Sequence, residues 1–536
     1  MKKFLLRKEF LLPFALIVIS SIIYFTYIGD INVFRSDDEP LYIHIATEMY
    51  EGGEYWIPLR FGVPAFFKPP FLYWAIILFF KLLGTSLLAA RIPVAIMTIS
   101  SIFLVYLLGK DLFGIIYGFL ASLILATSFG VIVYGRVALM DTPLMFLILL
   151  SVYFFHLAIN KDKPWAVFGF FAAAALSTLV KGPISALILI LFVLSYCLFF
   201  KKWPVFKTRW TIYGIITGAA IILSWPFMMY VKGLWNEWFS FFIIRENFGK
   251  FTAGHYSLFN FLSYYLEFLL PWTLFFITGV IMIITRKLYK KNEYGFLILI
   301  LTSSVIVFFF PAIKLKHFLI PALPYGALII AGTIKEFRQS AALKITSYIT
   351  VLVFSTLFAV IGAVSWMGLK TNYFMPSFLG AVFLIMCVWY LIKNKTIECA
   401  VSYSFFIIFL IMIWSSLNPC LLPKSALGYL KQNNVYAVRR QVYVYSYFLR
   451  TPVIQIEDLS KFPSVMPERS RIVVSESDLN KLLKDKTFGK FNMTKLYSWR
   501  YWKENISVPE LLSALKNKDV ENLKENIYIF GINHKL

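Results

Sequence analysis

The stretch FLYWAIILFFKLL, residues 71–83, decides how this chain is threaded. It is apolar enough to enter a bilayer, but a helix rises about 1.5 Å per residue and a span needs about 20 residues. It follows Lys68-Pro69-Pro70 and carries Lys81 near its end. If it crossed, every later basic cluster would move to the face opposite the N-terminus. If it lies flat, one face receives Lys2, Lys3, Arg7 and Lys8, then Lys201, Lys202, Lys207 and Arg209, then Arg286, Lys287, Lys290 and Lys291. Basic loops mark the cytoplasmic side. The stretch is therefore expected to be a helix along the interface, with a cytoplasmic N-terminus and an external C-terminal region.

Composition fits many crossings. Of 536 residues, 59% are hydrophobic and 15% charged, against about 25% charged in soluble domains. Thirteen transmembrane helices are expected, at 10–28, 88–108, 113–134, 141–159, 165–180, 182–200, 210–231, 263–285, 295–311, 318–334, 343–366, 374–392 and 399–417. No small-residue cleavage site follows the first, which reads as an uncleaved helix. The formal net charge of +24 resembles a nucleic-acid signal, but the cations sit in short loops between spans. The expected anionic partner is membrane lipid, not nucleic acid. The four cysteines lie in or beside apolar segments without a CxxC, which suits buried thiols better than a metal or disulfide site. Residues 1–420 form the membrane domain, with external loops at 29–87 and 232–262. Residues 421–536 carry β-like runs at 442–448, 471–475 and 526–532 and a helical stretch at 508–518, and read as a small α/β domain.

Some charges are not explained by threading. Asp37, Asp38 and Glu39 stand in a row where the first helix leaves the membrane. Ionisable groups at such places are costly and often mark sites. LYIHIATEMY, after Pro40, has helical spacing, so a surface helix would hold the carboxylates at the mouth of a cavity. Glu51 and Glu54, beside Gly52-Gly53, read as ordinary loop residues. Asp141 in YGRVALMDTPLMF begins a span on the outer side; it suits an N-cap, and an N-cap can also line a polar pocket. Lys68, Arg136, Lys181, Arg245, Lys250, Lys314 and Lys316 are external cations against the basic-inside bias. As a group they suit a phosphate or diphosphate; singly, each could snorkel to headgroups. His44, His255 and His317 are too scattered in sequence to make a metal site. No P-loop, HExxH or GxSxG motif occurs.

These residues resemble a known family, the polytopic glycosyltransferases that use a polyprenyl-phosphate sugar as donor: the lipid A aminoarabinose transferases and, more distantly, the protein O-mannosyltransferases. The carriers are SDDEPLYIHIATEMYEGGEYWIPLRFGVPAFFKPPFLYW, YGRVALMDTPLMFL, LSTLVKGPISALI, ENFGKFTAGHYSLFNFLSYYLEFLLPW and FFPAIKLKHFLIPALP. The resemblance implies a C-type glycosyltransferase fold in a cell inner membrane, with a periplasm-facing site and a periplasmic C-terminal domain. It implies Asp38 as catalytic carboxylate with Glu39 beside it. It implies Lys68 as the lysine that holds the donor phosphate; of the external cations, Arg136, Lys314 and Lys316 are expected to join it. It matches Asp141 and His255 to substrate-site residues, and Tyr42, Lys181 and Arg245 are expected to bind substrate with them. Departures are visible. Phe67 replaces a metal-linked glutamate, Leu41 an arginine, and Phe318 a tyrosine. The metal ligands are thus unassigned, with a divalent cation left open as a cofactor. The expected reaction is inverting sugar transfer to lipid A or another periplasmic acceptor. Alternatives are transfer to protein, as in the O-mannosyltransferases, or transport of lipid-linked sugars. A transporter is expected to place charges near mid-membrane in paired repeats, whereas the unusual charges here gather at one face.

Overall fold

The structure is a computed structural model. It describes residues 2–26, 28–29, 38–249, 258–309 and 315–353, then 386, 389, 429–430, 435–438, 453–456, 470–475, 478–480, 491–502 and 524–534. Asp37, His255, Lys314, the spans expected at 374–392 and 399–417, the run at 442–448 and the stretch at 508–518 lie outside the described residues.

α1 (Lys2–Phe25) is followed by α2 (Asp38–Gly52). α2 starts at Asp38 rather than after Pro40. Pro40 falls in its first turn, where a missing N–H costs nothing, and Asp38 and Glu39 meet the positive end of the helix dipole. The helix stops at Gly53, whose φ of 68° suits glycine. A short hairpin, β1 (Leu59–Arg60) and β2 (Val63–Pro64), turns through Phe61 and Gly62. Glu48 of α2 fastens that turn, accepting from the Phe61 N–H at 2.7 Å and the Gly62 N–H at 3.1 Å.

α3 (Phe71–Leu83) has the bounds of the short apolar stretch, set by Pro70 and Gly84. It buries Tyr73, Ile76 and Phe80 and leaves Leu78, Leu82 and Leu83 exposed. α4 (Leu87–Phe113) and α5 (Ile115–Ala126) form a tight hairpin. The expected span at 113–134 is broken: α6 (Phe129–Tyr134) is separate. The break follows from Thr127 and Ser128, whose hydroxyls bond back to the carbonyls of Leu123 and Ile124 at 2.6 and 2.7 Å. α7 (Asp141–Asn160), α8 (Ala166–Lys181), α9 (Ile184–Phe200), α10 (Arg209–Val231) and α11 (Trp235–Trp238) follow, the last running into a π-helix at Phe239–Phe248.

The expected single span at 263–285 is two helices, α12 (Leu258–Phe268) and α13 (Thr273–Thr285), with a bend of 113° between them. Pro271 lies in the connecting turn and cannot continue a helix. That turn is tied to the α5–α6 break: Trp272 donates to the Thr127 hydroxyl at 2.9 Å, and the Phe129 N–H to the Leu270 carbonyl at 2.9 Å. α14 (Asn292–Ile306), a 3-10 turn at Lys316–Ala322 and α15 (Leu323–Phe337) complete the described bundle as far as a helix at Ala341–Val353. Among the described residues, five helices are long and apolar enough to span alone, and the bent pair adds one more.

The described part of 421–536 holds a five-stranded mixed sheet: β3 (Val435–Val438), β4 (Val453–Ile456), β5 (Ser470–Ser475), β6 (Phe491–Trp502) and β7 (Lys524–His534), in the order β4-β3-β5-β7-β6. β3 pairs in parallel with β4 and β5, and β7 is antiparallel to β5 and β6. The runs expected at 471–475 and 526–532 fall in β5 and β7. Ile472, Val473, Ile527 and Ile529 are buried.

Candidate active site

The N-terminus of α2, the loop before α3, the link from α6 to α7 and the join of α8 to α9 meet around one cavity of about 690 Å³, which the π-helix and the Leu315–Phe318 segment complete. Of the polar residues singled out in sequence, Asp38, Tyr42, Lys68, Asp141, Lys181 and His317 line it.

The adjacent acids have opposite fates. A helix turns about 100° per residue, so Asp38 and Glu39 point apart. Asp38 lines the cavity. Glu39 is fully buried behind it, with both oxygens on Arg91: Nε to Oε1 at 2.7 Å and Nη2 to Oε2 at 2.8 Å. Its Oε1 also accepts the Ala138 N–H at 2.7 Å, and Arg91 donates to the Ile28 carbonyl at 2.9 Å. Glu39 thus ties α2 to α4 and to the α6–α7 link, and it does not line the cavity. Tyr42, one turn after Asp38, has its hydroxyl held well above the usual phenol range, by burial first and then by the charge of Asp38. It stays protonated and can donate a hydrogen bond.

Lys68 is placed by Pro69 and Pro70. Its ammonium donates to the Phe67 carbonyl at 2.9 Å and pairs with Glu246 at 3.3 Å. Sequence reasoning missed Glu246, which lies in the aromatic run FFIIRENF; a lone acid in such a run was the available signal. Asp141 is not an N-cap. Met140 holds that position, and Asp141 makes no side-chain cap. Its carboxylate instead meets Lys181 at 2.5 Å, with His317 Nε2 at 3.8 Å. The Lys181 ammonium also lies 4.0 Å from the centre of the Phe318 ring, a cation–π contact.

Other expected site residues lie elsewhere. Arg136 is buried and donates to the Thr26 carbonyl, outside the cavity lining. Lys316 is exposed, paired with Glu267 at 3.2 Å and placed over Tyr264. Arg245 is exposed over the Phe241 ring. Long cationic side chains at a helix end readily take such interfacial positions. Leu41, Phe67 and Phe318 all line the cavity and give it apolar walls. Among the described residues, no three His, Cys, Asp or Glu side chains converge as metal ligands. The divalent cation left open as a cofactor is given no ligands by these residues.

The helices are those of a multi-pass membrane protein, and their arrangement is the C-type glycosyltransferase fold. Its architecture is similar to the crystal structure of ArnT from Cupriavidus metallidurans bound to undecaprenyl phosphate, with a TM-score of 0.68 and 15% identity over 96% of this chain and 97% of that one. The chain resembles the glycosyltransferases that use polyprenyl-phosphate sugars. Residues 67–230 match the family of dolichyl-phosphate-mannose-protein mannosyltransferases. An undecaprenyl phosphate-alpha-4-amino-4-deoxy-L-arabinose arabinosyl transferase of Pseudomonas fluorescens is 26% identical over 59% of this chain, and the match spans 58% of that enzyme. An uncharacterized protein of Aquifex aeolicus is 28% identical over 64% of this chain and 68% of its own length.

Proposed function

We propose that the protein is an inverting glycosyltransferase of the inner membrane. It moves a sugar from a polyprenyl-phosphate donor to a hydroxyl of an acceptor such as lipid A, on the periplasmic side. The observation that carries this reading is the sharing of one cavity by Asp38, Lys68 and Lys181, with walls that continue along α9 to the exposed Leu187 and Leu191. A lipid phosphate has its charge met at one end and its chain accommodated at the other.

The chemistry needs little else. Asp38 accepts the proton of the acceptor hydroxyl as its oxygen attacks the anomeric carbon. The bond from that carbon to the phosphate oxygen breaks, and the electron pair leaves on the polyprenyl phosphate. Lys68 holds the donor phosphate and stabilises that charge, with Lys181 as a second cation. Tyr42 donates a hydrogen bond to substrate oxygen. One displacement inverts the anomeric centre, whereas a retaining pair would pass through a covalent sugar intermediate. Glu39 and Arg91 fix the turn from which Asp38 projects. Lys314 and His255 remain proposed contributors, to phosphate and substrate binding respectively. A peptide acceptor is the second reading, favoured by the mannosyltransferase match over residues 67–230.

The test is transfer by purified protein in liposomes, with a panel of polyprenyl-phosphate sugars and with lipid A and peptide acceptors. Asp38→Asn is expected to lose transfer by roughly 10²- to 10⁴-fold while still binding donor. Equal transfer by Asp38→Asn would remove the carboxylate from its role. Donor movement across the bilayer without transfer would favour a transporter.

A further inference from the structure

The Lys68–Glu246 pair is not explained by the transfer step. Both residues line the cavity, and their side chains are 17% and 16% exposed. A phosphate entering to meet Lys68 finds a carboxylate already there. Two anions on one ammonium, in a cavity with largely apolar walls, repel each other. Without a ligand, however, a largely buried lysine is costly to leave without a counter-charge. A carboxylate that holds the lysine between turnovers resolves both demands, provided it yields to phosphate.

The backbone around Glu246 suits such exchange. Glu246 lies in the ten-residue π-helix Phe239–Phe248, a rare geometry that concentrates at functional sites. Phe242 anchors that helix, with its ring 4.9 Å from Trp225 and 5.8 Å from Trp238. The helix also lies close to Gly182, where an added Cβ would sit 3.1 Å from Phe242 and 3.3 Å from Asn247. Beyond the anchor, Arg245 and Phe248 are exposed. Glu246 thus sits on a helix pinned at Phe242 and flanked by exposed residues.

We propose that Glu246 is the exchangeable counter-ion of Lys68. It keeps the ammonium in place between turnovers, yields to the donor phosphate, and competes with the spent polyprenyl phosphate to speed its release. The inference rests on the proposed transferase reading and adds to it a residue that sets donor affinity and product release.

The experiment measures binding of sugar-free polyprenyl phosphate to the purified full chain, followed by steady-state transfer. Glu246→Gln is expected to bind polyprenyl phosphate roughly tenfold more tightly than wild type, with the difference narrowing in high salt. In transfer, its KM for donor falls, its kcat falls, and added polyprenyl phosphate inhibits it more strongly. Glu246→Asp keeps the charge and binds close to wild type, and Lys68→Ala loses binding. A purely structural role for Glu246 predicts no tighter binding. Equal or weaker binding by Glu246→Gln, with wild type binding well, overturns the exchange and leaves the transferase reading standing. Absence of binding by both proteins overturns that reading and the exchange with it. Melting curves in detergent check folding, and Glu246→Ala serves as the second neutral variant.

Discussion

Replacing Arg91 with methionine isolates what the buried pair behind the cavity contributes. Arg91 and Glu39 are both inaccessible to solvent. The substitution removes two charge-assisted hydrogen bonds from Glu39 and one from the Ile28 carbonyl. Glu39 is left as a buried carboxylate deprived of its cation, at a cost of about 3–5 kcal/mol. Replacing both residues, as Arg91→Met with Glu39→Met, removes both charges. What remains is the Ala138 N–H and the Ile28 carbonyl without these partners, at about 1–3 kcal/mol each, partly offset by the added apolar side chains. The double variant should therefore lose less than the two single variants together, with a coupling of at least about 2 kcal/mol. The assay is a double-mutant cycle by denaturant titration in detergent, with transfer activity measured on the folded fraction. Activity should also fall in Arg91→Met, because Asp38 projects from the turn that Glu39 fixes. Additive losses, or a single variant within about 0.5 kcal/mol of wild type, would refute the claim that the pair anchors the catalytic turn.

Lys181→Met should destabilise by about 3–5 kcal/mol, since it leaves Asp141 buried without its lysine; Lys181→Arg should recover part of this, because a guanidinium can stack on Phe318. Melting temperature reports both. Gly118→Ala should cost about 1–3 kcal/mol, because the new Cβ would fall 2.5 Å from the Lys110 backbone nitrogen and 2.7 Å from the Tyr106 carbonyl oxygen. Backbone atoms in a tight hairpin cannot yield as a side-chain tip can, and unchanged melting would contradict the packing of α4 on α5. Tyr42→Phe should weaken transfer without moving its pH dependence, since the Tyr42 hydroxyl stays protonated; a lost pH limb would show that it ionises.

Much of the site was legible residue by residue. Asp38, Lys68 and Lys181 could be singled out because charge outside the basic-inside pattern has a cost that demands a reason. Pro69 and Pro70 marked Lys68 as held rather than loose. Pairing was not legible. Glu39 looked like the twin of Asp38, yet one step along a helix sent it to Arg91, 52 positions away. Arg136 looked like a phosphate ligand until packing turned it toward Thr26. Glu246 was passed over because its partner, Lys68, is 178 positions distant.

By itself, the sequence determined a helical chain of many membrane crossings and the short helix at 71–83, because apolar length and the placement of basic residues are local quantities that a bilayer reads directly. It also marked the acidic start of α2 and the lysine after Phe67. The tertiary structure alone decided which charges share a cavity, which are neutralised inside the protein, and where apparent spans break. The reason is physical. The energy of a buried charge depends on the partner within a few ångströms, and only the packing of α2, α4, α7, α8 and the π-helix brings those partners together.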